Sequence, residues 1–78
     1  MNKSIVIIDD DQDMCEMLEA HFKRKGFEVN WFLRGNESLD YIGAHEINVV
    51  LTDLNLPQMS GIDLCKTLSN SRPDIPVV

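Results

Sequence analysis

Two kinds of hydrophobic pattern alternate along the chain. Short apolar runs at 5–8 and 49–51 lead into aspartate, and such continuous runs are typical of strands covered on both faces of a parallel sheet. Between them, Met14, Leu18 and Phe22 recur every four residues, which predicts an amphipathic helix. The whole pattern predicts strands at 5–8, 27–32 and 49–52, helices at 13–25, 36–43 and 61–69, and the beginning of a fourth strand at 75–78. Because strands alternate with helices, we expect an α/β fold with a parallel sheet and right-handed crossovers.

The first predicted helix carries signals at both ends. Asp11 or Asp13 can cap its N-terminus, and Asp13 with Glu16 has the spacing of a capping box. Gly26 is expected to end the helix at the C′ position, and Met17 is expected to widen the apolar face. In the third helix the expected apolar positions are Ile62, Leu64, Cys65 and Leu68.

Length and charge narrow the class of protein. With 78 residues the chain is expected to be one small domain, 1–78, and its net charge of −6 argues against binding to nucleic acid or to anionic membranes. No apolar run approaches the ~20 residues of a membrane span, and the N-terminus does not have the pattern of a signal peptide. Cys15 and Cys65 have no paired spacing, so we expect two reduced thiols in a cytoplasmic protein.

Acidic residues follow two of the predicted strands. Asp9 and Asp10 come directly after the first strand, and Asp53 follows the third. If these strands are neighbours, the three carboxylates converge at the edge where open parallel sheets bind ligands. Their mutual repulsion favours a divalent cation, and Mg²⁺ suits a few carboxylates together with a phosphoryl group. Asp53 could then be the nucleophile that forms an acyl phosphate, with the backbone carbonyl of Asn55 as a further metal ligand.

The acidic segments resemble a known family. Residues 5–11 together with 53–61, including Pro57 and Gly61, closely resemble the receiver domain of bacterial two-component response regulators. The resemblance extends over the whole chain. It implies a flavodoxin-like parallel sheet with flanking helices and the strand order 2-1-3-4-5. It also implies a signalling domain rather than an enzyme.

The resemblance assigns a role to each acidic residue. Asp53 is the expected acceptor of a phosphoryl group from a sensor histidine kinase or a phosphotransfer protein. Asp10, Asp53 and the Asn55 carbonyl are the expected direct ligands of Mg²⁺, and Asp9 is expected to assist through water.

Part of the family pattern would lie beyond Val78, namely a Ser or Thr that ends strand 4 and a Lys that ends strand 5. We therefore expect the chain to be about the N-terminal two-thirds of a receiver domain, from a longer regulator. The outer edge of the third strand would then have little or no partner, and the first helix alone would cover one face of the sheet. An unpaired edge invites self-association through that strand, or partial unfolding.

Two other functions are compatible with the sequence. The first is a receiver-like interaction or dimerisation module that does not transfer phosphate. The second is a phosphatase similar to the haloacid dehalogenases, in which Asp9 would be the nucleophile and Asp11 the acid/base. That second function would leave Asp53 without a role.

Overall fold

Strands and helices alternate as the hydrophobic pattern predicts. The computed structural model describes residues 3–53 and 61–78. Its elements, in chain order, are β1 (Ser4–Ile8), α1 (Gln12–Arg24), β2 (Glu28–Phe32), α2 (Gly35–Ala44), β3 (Val49–Thr52) and α3 (Gly61–Ser71). The third strand has the predicted limits, and the other elements differ from prediction by one or two residues at their ends.

The three strands form a parallel sheet in the order β2-β1-β3. Ile8 at the end of β1 pairs with Phe32 of β2 on one side and with Thr52 of β3 on the other. All three strands therefore end at the same edge of the sheet, and any residue that directly follows them is brought to that edge. The predicted α/β architecture, a parallel sheet with flanking helices, is confirmed.

The outer edge of β3 is paired at Val50 and Thr52, so the expectation of little or no partner is wrong for this part of the strand. Val77 forms a parallel bridge with Val50. The backbone N–H of Val50 donates to Pro76 at 2.9 Å, that of Val78 to Val50 at 2.8 Å, and that of Thr52 to Val78 at 3.1 Å. The crossover through α3 returns the chain in the same direction, so a few residues are enough to cover the edge. Self-association of the chain, which was predicted from that edge, stays a prediction.

Both faces of the sheet are buried. On one face, Val6 and Ile8 of β1 pack with α2 and α3 in a cluster of buried side chains that includes Ile42, Ile47, Val50, Leu64, Leu68 and Ile75. On the other face, Ile5 and Ile7 pack with Cys15 and Val29. In the described part of the chain, α1 is the helix that covers this second face, as predicted. Adjacent residues of β1 face opposite layers, which explains its continuous apolar run.

The structure shows which of the predicted capping residues define the ends of α1. Asp11 is the N-cap, and its carboxylate accepts hydrogen bonds from the N–H groups of Asp13 at 3.0 Å and Met14 at 3.3 Å. The capping box predicted for Asp13 and Glu16 is wrong, because Asp13 already lies inside the helix. After the C-cap, Gly26 has φ of 91°, the left-handed conformation expected at C′.

The buried face of α1 is rotated from its expected position. Cys15 is fully buried and lies on the inward line with Leu18 and Phe22, whereas Met17 is 58% exposed and does not widen the apolar face. Met17 lies ~200° around the helix from Cys15. In α3, Leu64 and Leu68 are buried as predicted, but Ile62 is exposed. Within residues 3–53 and 61–78, the helices lack the length and hydrophobicity needed to span a bilayer.

Candidate functional site

Three aspartates meet at the carboxyl edge of the sheet. The strand pairing continues one residue beyond β1 and β3, since Asp9 N–H donates to Phe32 at 3.1 Å and Asp53 N–H donates to Ile8 at 2.8 Å. As a result, Asp9, Asp10 and Asp53 each present a carboxylate oxygen within 4.8 Å of the others. The convergence expected from the sequence is present in the structure.

The electrostatics of this group are unfavourable for three charged carboxylates. Asp9 and Asp53 are partly buried, and Asp10 is exposed. Burial raises the pKa of Asp9 above its ordinary value, and the negative charges of Asp53 and Asp10 raise it further. A hydrogen bond from the N–H of Asp11 to Oδ1 of Asp9, at 2.9 Å, opposes this rise. A cation would relieve the repulsion and favour the charged form of Asp9.

The ligand atoms offered by this site are all carboxylate oxygens. Hard divalent cations such as Mg²⁺ and Ca²⁺ prefer oxygen ligands, and Mg²⁺ typically takes one or two carboxylates and completes its shell with water and phosphate oxygens. The three aspartates fit that pattern. Asn55, whose carbonyl was expected to be a further ligand, lies outside the described residues, as does Pro57.

A cleft of about 270 Å³ opens beside the acidic group. Asp9 and Asp53 line it together with Ile7, Ile8, Met14, Leu18, Leu51 and Thr52. A larger cleft lies at the opposite, amino end of the sheet, near Ser4 and Glu28, away from the aspartates. The acidic group therefore occupies the crevice outside the carboxyl ends of the strands, where open α/β sheets bind ligands.

Cys15 contacts the acidic site in a way that was not predicted from the sequence. Its Sγ donates to the backbone carbonyl of Asp9 at 3.4 Å. Burial, and next the nearby charge of Asp9, raise the pKa of the Cys15 thiol to about 11, so the thiol keeps its proton at neutral pH. The spacing of Cys15 with Leu18 and Phe22 is the sequence signal that would have placed it on the inward face.

Asp11 does not join the acidic group. Its carboxylate accepts the two N–H groups at the start of α1, so it already has a structural role. This geometry disfavours the phosphatase alternative, which needs Asp11 as a free acid/base beside Asp9.

A parallel sheet with flanking helices and a carboxylate cluster at its carboxyl edge places this chain in the class of open α/β domains that bind ligands at that edge. The family model described as the response regulator receiver domain matches residues 5–78. The chain belongs to the response regulator receiver domain family, which serves two-component signalling.

Solved structures agree with this assignment. The chain superposes on a response regulator receiver domain protein from Clostridium thermocellum with a TM-score of 0.91 and 26% identity, covering 96% of this chain and 61% of that one. A response regulator protein from Burkholderia pseudomallei, solved with a phosphorylated aspartic acid, calcium ion and citrate, gives 0.89 and 28%, covering 97% and 45%.

A third structure supports the fold. The response regulator protein TrrA from Thermotoga maritima, in complex with Mg²⁺-BeF, has a TM-score of 0.92 and 23% identity, covering 96% of this chain and 65% of that one. The chain thus spans less than two thirds of the length of each of these three structures.

Proposed function

We propose that this chain is the phosphoacceptor part of a response regulator and that Asp53 accepts a phosphoryl group from a histidine in a Mg²⁺-dependent phosphorelay. The observation that carries the proposal is the convergence of Asp9, Asp10 and Asp53 within 4.8 Å, at the carboxyl edge of a sheet that belongs to the receiver family. The donor is a sensor histidine kinase or a phosphotransfer protein. The chain acts as a phosphorylated signalling domain rather than as an enzyme.

Each aspartate has a separate task in this proposal. A carboxylate oxygen of Asp53 attacks the phosphorus while the bond from phosphorus to the donor's imidazole nitrogen breaks, which yields an aspartyl phosphate. Asp10 and Asp53, together with the Asn55 carbonyl, would hold Mg²⁺ directly, and Asp9 would assist through water. When bound, Mg²⁺ neutralises negative charge on the carboxylates and on the phosphoryl oxygens.

The positions of the aspartates support these tasks. The backbone of Asp53 is anchored to β1 through Ile8, and that of Asp9 is anchored to β2 through Phe32. These hydrogen bonds hold Asp9 and Asp53 side by side at the sheet edge, which matters because phosphoryl transfer depends mainly on positioning and on neutralising charge. The Burkholderia pseudomallei protein, described with a phosphorylated aspartic acid and a calcium ion, supports the same chemistry.

Location and domain organisation are part of the proposal. The two cysteines are free thiols, which suits the reducing cytoplasm. Residues 1–78 form part of one receiver domain, because the family model extends from residue 5 to residue 78.

The test is phosphorylation by a small donor. The chain is incubated with acetyl phosphate and Mg²⁺, and its intact mass is measured beside that of Asp53→Asn and Asp40→Asn. Asp40 is an exposed residue of α2 and serves as the matched control. We expect wild type and Asp40→Asn to gain one phosphoryl group and Asp53→Asn to gain none.

Other outcomes would contradict the proposal in distinct ways. A gain that persists in Asp53→Asn but is lost in Asp9→Asn would indicate the phosphatase chemistry. A folded wild type that binds Mg²⁺ and gains no phosphoryl group would favour the interaction module without phosphotransfer.

A further inference from the structure

Asp9 makes three hydrogen bonds, through its backbone N–H, its carboxylate and its backbone carbonyl. Asp9 N–H donates to Phe32 at 3.1 Å, Asp9 Oδ1 accepts the N–H of Asp11 at 2.9 Å, and the Asp9 carbonyl accepts the thiol of Cys15 at 3.4 Å. The first two contacts fix the strand end and the carboxylate. The third is to the carbonyl of the peptide that joins Asp9 to Asp10.

The thiol that makes this third contact is itself held firmly. Cys15 is fully buried and packs in the cluster with Ile5, Ile7 and Val29. Its backbone N–H donates to Asp11 at 3.1 Å, so the first turn of α1 also fixes its position. A core side chain thus reaches the backbone of the acidic site.

We propose that Cys15 is a positioning residue for the metal site and that its thiol orients the Asp9–Asp10 peptide so that both carboxylates point toward Asp53. This inference rests on the proposed function, because it concerns the same Mg²⁺ site. It assigns no redox or nucleophilic role to Cys15, whose side chain is covered by the core.

The physical reason is the repulsion among the three carboxylates. Without a restraint on the peptide plane, Asp9 and Asp10 can turn their charges away from Asp53, and a cation must then draw them together at a cost to its affinity. A neutral hydrogen bond contributes roughly a factor of 2 to 10, and because S–H is a weak donor we expect about threefold here.

The experiment compares Cys15→Ser, which keeps a donor, with Cys15→Ala and Cys15→Val, which do not. Cys65→Ala, in α3, is the matched control. Each protein is titrated with MgCl₂ while backbone amide NMR shifts are followed, and its melting temperature is measured separately in EDTA. Using two variants without a donor, one smaller and one larger than cysteine, separates the loss of the donor from an effect of core volume in either one.

We expect Mg²⁺ to bind about threefold more weakly to Cys15→Ala and Cys15→Val, while Cys15→Ser and Cys65→Ala bind like wild type. The melting temperatures in EDTA are expected to differ between Cys15→Ala, which leaves a cavity, and Cys15→Val, which adds volume to the core, although both variants bind Mg²⁺ equally weakly. A residue that only filled the core would weaken Mg²⁺ binding in proportion to the loss of stability.

Two results would overturn the inference. Unchanged Mg²⁺ affinity in Cys15→Ala and Cys15→Val, with normal wild-type binding that Asp53→Asn weakens, removes the positioning role and leaves the proposed function intact. A wild type that shows no Mg²⁺ binding dependent on Asp53 overturns the proposed function and this inference together.

Discussion

At the scale of single residues, the charge of Asp9 in the acidic site lowers the stability of the folded chain. Its side chain is partly buried beside Asp53 and Asp10, and its pKa in the folded chain lies above the ordinary value of 3.8, chiefly because of burial. The folded state therefore binds this proton more tightly than the unfolded state does. The resulting contribution to stability is present below pH 3.8 and is lost as the pH rises through the folded-state pKa.

We therefore expect Asp9→Asn to raise the melting temperature of the metal-free protein at pH 7. Asparagine removes the charge and keeps an oxygen that can accept the N–H of Asp11. Thermal melts in EDTA at pH 7 and at a pH below 3.8 check this, and the difference from wild type should largely disappear at the lower pH. A lower melting temperature for Asp9→Asn at pH 7 would show that the charge of Asp9 does not destabilise the folded chain. Asp40→Asn, on the exposed surface of α2, should show no comparable change.

At the scale of elements, the turn between β1 and α1 combines folding and function in a few residues. Asp9 and Asp10 belong to the acidic group, whereas Asp11 caps α1. Three consecutive aspartates thus divide into two roles, which depend on where each one falls relative to the strand end and the helix start.

The cap gives a direct prediction. We expect Asp11→Ala to lower the free energy of unfolding by ~1 kcal/mol, and Asp11→Asn to have a much smaller effect because asparagine also caps helices well. Asp13→Ala should cost less than Asp11→Ala, since Asp13 lies within the first turn and accepts no capping bond there. Urea denaturation measures all three. A larger loss of unfolding free energy in Asp13→Ala than in Asp11→Ala would support the capping box of Asp13 and Glu16 that the sequence predicted.

At the scale of the whole molecule, Arg72 joins elements that are distant in the sequence. Its Nη1 donates to the carbonyl of Ile42 at 2.9 Å and to that of His45 at 3.3 Å. These carbonyls lie at the C-terminal end of α2, while Arg72 directly follows α3. The guanidinium of Arg72, at the end of α3, therefore supplies hydrogen-bond donors to carbonyls at the end of α2. This contact also holds the start of the segment that returns to the edge of β3.

We expect Arg72→Met to lower the free energy of unfolding by about 1–3 kcal/mol, since hydrogen bonds that involve a charged donor are the stronger ones. The matched control is Asp74→Asn, which removes the ion pair of Asp74 with Arg72 at 3.5 Å and leaves the carbonyl contacts in place. Because Asp74 is mostly exposed, that change should stay within about 0.5 kcal/mol. Urea denaturation measures the free energy of unfolding of both variants. Equal losses would mean that Arg72 acts through its ion pair with Asp74 and not through the carbonyls at the end of α2.

The sequence by itself determined the order and kind of the elements, the parallel sheet, and the placement of Asp9, Asp10 and Asp53 at strand ends. These follow from local periodicity and turn chemistry, together with the rule that parallel strands end at a common edge. Gly26 likewise predicted the end of α1. The helix ends in a left-handed backbone conformation, which glycine adopts readily whatever the rest of the fold.

Only the tertiary structure decided which acid caps α1, that Cys15 rather than Met17 lies inward, and that Val77 and its neighbours pair with β3. The tertiary structure also set the pKa of Asp9 and placed Cys15 beneath the acidic site. The reason is physical. Each of these features depends on the rotation of a helix against the sheet, or on contacts between segments far apart in the chain, and local sequence preferences differ too little in energy to select among such alternatives.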